Sequence, residues 1–166
     1  MIRLVRANVD LLDAAIAGDY ALASAIGHDV VAGWATFRNA LQPTRDALAA
    51  APSETPWGPR LFVNGEPPEL VGWGGFKGTP RDGVVELGYE IAESRRERGL
   101  ATAAVRAMVA EAFADDRVRA VIAHTLAQRN ASNRVLENVG FQFDAEVREA
   151  DATVWRFLLT RPASGE

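Results

Sequence analysis

From Ile2 to Ala7 apolar and basic residues alternate, the two-residue period of a half-buried strand. Asn8 and Asp10 are cap residues for a helix whose Val9, Leu12, Ala15 and Ile16 carry the apolar positions. Gly18-Asp19 ends that helix, and a second short one runs from Tyr20 to Ile26. Val30, Trp34, Phe37 and Leu41 then fall at helical spacing, and Pro43 closes the pattern. Ala51 to Gly58, with Pro52 and Pro56, reads as a long surface loop. Strand patterns follow at Arg60–Val63, ended by the turn signal Asn64-Gly65, and at Leu70–Lys77, ended by a turn over Gly78–Gly83. Val84–Ala92 is the most apolar strand so far, and tight turns join the three as an antiparallel meander.

The texture changes at Glu93. Ser94 to Gly99 is a dense charged loop, and a helix follows with Ala101, Ala104, Val105, Met108, Val109, Ala112 and Phe113 on one stripe. Val118–Thr125 is a strand, Ala131–Val139 a short helix ended by Gly140, and Gln142–Arg148 with Thr153–Thr160 a closing hairpin. The order predicts a single mixed α/β (α+β) domain over residues 1–166. The Val84–Ala92 strand, the next helix and the Val118–Thr125 strand form a crossover unit, so those strands should run parallel.

Composition narrows the function. The 166 residues are 48% hydrophobic, enough to bury about 70% of the unfolded surface. Lys and Arg number 18 against 22 Asp and Glu, a net charge of −4. That argues against a nucleic-acid partner and against a polybasic membrane patch. Without cysteine there are no disulfides, thiol nucleophiles or thiolate metal sites. His28 and His124 are the only imidazoles and lack ligand spacing, so no metal is expected. No uncharged apolar run approaches the roughly 18 residues of a membrane span. The charged N-terminus lacks a signal-peptide core. The expectation is a soluble cytoplasmic protein, monomer or homodimer.

The chemistry concentrates where the Val84–Ala92 strand feeds the loop Arg95-Arg96-Glu97-Arg98-Gly99 and a helix opens at Leu100. The first helical amides have no internal partners, and the helix dipole adds positive character there. Gly99 leaves them unobstructed, and the arginines add charge, so the segment suits phosphate or pyrophosphate. An ordinary solvated loop is the alternative. Gly72-Trp73-Gly74-Gly75-Phe76-Lys77 has lysine where a dinucleotide fingerprint needs its third glycine, and Phe76-Lys77-Gly78-Thr79 is out of order for a Walker loop.

Arg96-x-x-Gly99-x-Ala101 resembles the Gln/Arg-x-x-Gly-x-Gly/Ala motif of the GNAT superfamily of acyl-CoA-dependent N-acyltransferases. Ala131-Ser132-Asn133-Arg134-Val135-Leu136-Glu137-Asn138-Val139-Gly140-Phe141 is similar to a second signature of that family, most of all in the subgroup that acetylates ribosomal-protein N-termini. The resemblance covers roughly Leu70 to Leu159, and the N-terminal third only in outline. It implies the GNAT fold, a central mixed sheet of about six or seven strands flanked by helices, the fourth and fifth parallel and splayed. It also implies acetyl-CoA as cosubstrate. Arg96, Glu97, Arg98, Gly99, Leu100, Ala101 and Thr102 would hold the pyrophosphate, and the backbone of Tyr89, Glu90 and Ile91 the pantetheine. The family's pantetheine-contacting Asn falls at Arg129, so either Asn130 takes its place or the contact is missing. The family's proton-donating Tyr falls at Leu136, which makes Ser132 the candidate acid to the thiolate, with a helix N-cap as its alternative role.

Transfer to an amine needs a neutral nitrogen. An α-amine with a pKa of about 8 is partly neutral at pH 7, whereas a lysine at about 10.4 is mostly charged. Glu86 interrupts an apolar strand, and its burial should raise its pKa toward that of a useful base. Glu90, on the same face by alternation, is the second candidate. His124, at a strand end, reads as structural. Trp34 and Phe37 read as core on a helical stripe, near the region that walls the acceptor pocket in the family. The expected reaction is acetyl transfer to a protein N-terminus or a small-molecule amine. The alternatives are a non-catalytic acyl-CoA-binding module and an antibiotic or polyamine acetyltransferase.

Overall fold

In the computed structural model, which describes residues 1–163, the opening alternation becomes β1 (Ile2–Arg6). Asn8 caps α1 (Val9–Ala17), its side-chain oxygen accepting from the Leu11 N–H at 2.9 Å. Gly18 and Gly27 bracket α2 (Asp19–Ile26). The helix expected across Val30 to Leu41 does not form. Val30 belongs instead to the short β2 (Asp29–Val30), and Val31 donates to the Leu70 carbonyl. Gly33, at φ +81°, then turns the chain out of any helical path. Trp34 is fully buried but Phe37 is 67% exposed, so the two do not share a core stripe.

Pro43 does not end a helix. It sits in the first turn of α3 (Leu41–Ala50), where no backbone donor is required. The segment expected to be a surface loop is a 3-10 helix, Pro52–Trp57, that buries Trp57 against Phe76 with ring centroids 5.2 Å apart.

The meander follows as expected with β3 (Pro59–Asn64), β4 (Glu69–Phe76) and β5 (Val84–Ile91), antiparallel throughout. Then come α4 (Leu100–Phe113), β6 (Ala120–Leu126), α5 (Ala131–Val139), β7 (Gln142–Glu149) and β8 (Ala152–Thr160). The eight strands make one mixed sheet in the order β1-β3-β4-β5-β6-β8-β7, with β2 parallel to the start of β4.

Two cores sandwich this sheet. One packs Val105, Met108 and Ala112 of α4 and Leu136 of α5 on Phe62, Val85, Leu87, Val121 and Phe157. The other packs Leu12, Leu22, Trp34 and Leu41 on Leu61, Leu70 and Trp73. The helices α1–α3 therefore cover the β1-β3-β4 half of their face and leave the β6-β8-β7 half of it uncovered.

The parallel pair β5–β6 forms as expected, but only from Val84↔Ala120 to Glu86↔Ile122. Beyond that, β5 stays with β4 as far as Ile91 and β6 stays with β8 as far as Leu126. The two strands splay, and a gap opens at Glu86. Among the described residues no helix is long and apolar enough to cross a membrane.

Candidate active site

On one side of the gap stands the N-terminus of α4. Among the described residues no side chain caps it, and its first backbone bond is from the Ala103 N–H to the Gly99 carbonyl at 3.0 Å. The amides of Leu100, Ala101 and Thr102 are left without acceptors. Glu97 (φ +63°) and Gly99 (φ +76°) both adopt left-handed backbone, and a Cβ on Gly99 would meet nothing within 4 Å. This alternation of handedness curls successive N–H groups into a concave, anion-seeking surface.

The three arginines divide their work. Arg95 turns away and grips Glu69 through Nε at 2.6 Å and Nη2 at 3.0 Å, which holds the Glu69 carboxyl below its usual range. Arg96 donates from Nε to the Ile91 carbonyl at 3.1 Å and braces the loop on β5. Arg98 makes no ion pair among the described residues.

The far wall of the gap is the start of α5. Asn130 is its cap, accepting from the Asn133 N–H at 3.2 Å, while the Asn130 N–H donates to Asn133 Oδ1 at 2.9 Å. The fully buried Asn133 also donates from Nδ2 to Thr125 Oγ1 at 3.0 Å, tying α5 to β6. Sequence reasoning missed Asn133, although Asn130-x-x-Asn133 ahead of an apolar turn is a capping signal. Because Asn130 takes the cap, the Ser132 hydroxyl is spared and makes no hydrogen bond among the described residues. Tyr89 spans the gap from β5, its hydroxyl donating to the Ser132 carbonyl at 3.3 Å. Burial pushes the Tyr89 hydroxyl up to about 12.

Glu86, Gly88 and Glu90 alternate onto the opposite face of β5. Glu90 spends both oxygens on structure. Oε1 accepts from the Thr36 N–H at 2.6 Å and Oε2 from Trp73 Nε1 at 3.0 Å, which docks the loop after β2 onto the sheet. Trp73 in turn meets Trp34 edge-on, centroids 6.0 Å apart.

Glu86, at the vertex of the gap, is 20% exposed and holds two partners on Oε2: Lys77 Nζ at 2.8 Å and His124 Nδ1 at 3.0 Å. Its Oε1 makes no hydrogen bond among the described residues. Burial pushes the carboxyl up, but hydrogen bonds and charge from Lys77 and His124 outweigh it and hold the group below the usual carboxylate range. The expected rise is thus reversed, since strand alternation reveals burial but not the two donors that converge on it. His124 lies within β6 rather than at a strand end, and its imidazole is engaged at the vertex. Among the described residues no group of His, Cys, Asp or Glu can hold a metal ion.

Residues 2–142 match the family model described as an acetyltransferase (GNAT) domain. A relative in Bacillus subtilis (strain 168), an uncharacterized N-acetyltransferase YjdG, is 26% identical over 143 residues, 84% of this chain and 85% of the relative. The fold is shared with the aminoglycoside acetyltransferase AAC(6')-Ib solved with coenzyme A, at TM-score 0.69 and 19% identity over 97% of this chain and 95% of that one. It is shared too with Mycobacterium smegmatis RimJ in complex with CoA-disulfide, at TM-score 0.69 and 17% identity over 96% and 81% of the two chains.

Proposed function

Because the chain belongs to the GNAT acetyltransferase family, we propose that it moves an acetyl group from acetyl-CoA to the α-amine of a peptide or protein N-terminus. Acetyl-CoA supplies the acetyl group as a thioester. The observation that carries this reading is the gap opening at Glu86↔Ile122 beside the unpaired amides of α4.

The amides of Leu100, Ala101 and Thr102, with Arg96, Glu97, Arg98 and Gly99 shaping the loop, bind the pyrophosphate. The free edge of β5 at Tyr89, Glu90 and Ile91 orients the pantetheine, and Asn130 stands at the mouth. The amine comes from the uncovered face, where Glu86 lies. Its nitrogen forms the C–N bond as the C–S bond breaks, one N–H proton passes to the Glu86 centre, and the unengaged Ser132 hydroxyl gives a proton to the departing sulfur. Glu86 suits this role better than Glu90, whose two oxygens are already bonded.

Charge on the acceptor face supports an N-terminal amine over a polycation. Glu86 is offset by Lys77 and Asp144 by Arg156, at 2.8 and 2.7 Å. Glu149, 3.8 Å from His124 Nε2, has no Lys or Arg partner among the described residues, and one such carboxylate is too little for a multiply charged ligand. The AAC(6')-Ib structures with aminoglycosides supply the competing acceptor class. A screen of thiol release with acetyl-CoA decides between them, using an alanine-headed hexapeptide, spermidine and kanamycin. The peptide should turn over fastest; preference for kanamycin would replace this reading with the antibiotic one.

A further inference from the structure

Glu86 does not meet the cleft alone. His124 follows Ile122 by two residues on β6, so it shares the face of Glu86 and is the first such side chain past the last β5–β6 pair. Its Nδ1 lies 3.0 Å from Glu86 Oε2, and its Nε2 lies 3.8 Å from Glu149 Oε1, too long for a hydrogen bond. The carboxylate can only accept, so it fixes the proton on Nδ1 and leaves the lone pair on Nε2.

We infer that His124 Nε2 is the atom that takes the proton from the acceptor amine, and that Glu86 is the positioning residue that sets its tautomer and stabilises the imidazolium. The proposal rests on the acetyl-transfer reading above and moves the base from the Glu86 carboxylate to the imidazole it holds. It follows the logic by which a buried carboxylate orients a catalytic imidazole in hydrolases.

The surroundings fit. Glu86 faces the ring from β5 and Glu149 from β7, so the imidazolium forms between two carboxylates. Lys77, just after β4, shares Oε2 of Glu86 and limits that gain. Arg156 of β8, the register partner of His124, is held by Asp144 of β7. The side chain keeps 12% of its surface open. Lys77 and the His124 Nδ1–H hold the Glu86 carboxyl below its usual range, which makes it a weak proton acceptor. In the transfer the nitrogen lone pair forms the C–N bond and the C–S pair leaves with sulfur. One N–H proton passes to Nε2. By way of solvent it replaces the proton that reached the sulfur, so amine and thioester give amide and thiol.

His124→Asn separates the roles, because its amide nitrogen still donates to Glu86 while no base remains. With the alanine-headed hexapeptide, kcat should fall about 100-fold or more, with acetyl-CoA affinity and melting temperature close to the parent's. Retention of kcat within about threefold, with Glu86→Gln inactive, would overturn the proposal and make Glu86 itself the base. Nitrogen-15 NMR of the ring in the full chain at pH 8 should show Nδ1 protonated and Nε2 bare; the opposite tautomer would also overturn it. That measurement needs neither turnover nor a variant that folds. Should the parent release no thiol with any acceptor of the screen, the acetyl-transfer reading falls and takes this proposal with it; thiol release with the opposite tautomer overturns this proposal alone.

Discussion

Single side chains at the vertex are legible through charge. The Lys77 ammonium, 63% exposed, is one of the two groups holding Glu86 ionised. A carboxyl held below its ordinary value contributes stability that is complete above the unfolded value, near 4.5, and is lost as pH falls through the folded value. Lys77→Met should therefore lower the melting temperature at pH 7, and the difference should close as Glu86 protonates in both proteins. One partner is well exposed, so the loss is at most about 1 kcal/mol, or roughly 2–4 °C for a chain of this size. Scanning calorimetry from pH 7 to 3 tests the sign; a difference that widens in acid would refute it. On the other face of the sheet Arg60 is 1% exposed and fixed by Glu111 at 2.9 Å and by the Pro56 and Gly58 carbonyls. Glu111→Ala leaves that guanidinium under-compensated. It should destabilise the fold by about 1–3 kcal/mol, below the full value for a buried pair because Glu111 is itself partly exposed. Urea denaturation checks it.

At the level of elements, what the sequence reveals depends on whether the signal is local. Asn8, Gly18 and Gly140 bound their helices as their chemistry dictates, and α5 has the limits its caps announce. The charged loop into α4 and the crossover to β6 were legible for the same reason. Val30 to Leu41 was not. Its apolar spacing mimics a helix, but Val31 is claimed by Leu70 and the Thr36 N–H by Glu90, contacts across 39 and 54 residues that no local pattern carries. The site shows the same division. The glycine-bearing loop that opens α4 was visible as a motif. The convergence of Lys77 and His124 on Glu86 was not, because it joins three strands through register. Asn133 illustrates the cost of such a hidden contact. Asn133→Ala removes half of the reciprocal cap and leaves the Thr125 hydroxyl without its donor, so a loss of about 2–3 kcal/mol is expected. Chemical denaturation measures it, and a change under about 0.5 kcal/mol would mean that the cap carries no strain-free advantage over water.

The whole molecule is two cores on one sheet, and β5 links them: its Val85, Leu87 and Ile91 lie in one, and its Glu90 bonds Trp73 of the other. A ligand seated along its free edge, between α4 and α5, draws on a frame that exists only when the chain is folded. Binding to the folded state alone raises stability by about 2.7 kcal/mol at a hundredfold excess over Kd. For this size that is roughly 5–11 °C in melting temperature. If the α4 amides carry the pyrophosphate, acetyl-pantetheine at the same concentration should give little or no shift, since it lacks the group those amides hold. Gly99→Glu should erase the acetyl-CoA shift altogether. The substitution forces a side chain into left-handed backbone at about 1–2 kcal/mol and sets a carboxylate where an anion must approach. The variant's own melting temperature should fall by only a few degrees, because a Cβ at this position meets no neighbour. Equal shifts from acetyl-CoA and acetyl-pantetheine would place the affinity in the pantetheine groove and leave the N-terminus of α4 without its assigned role.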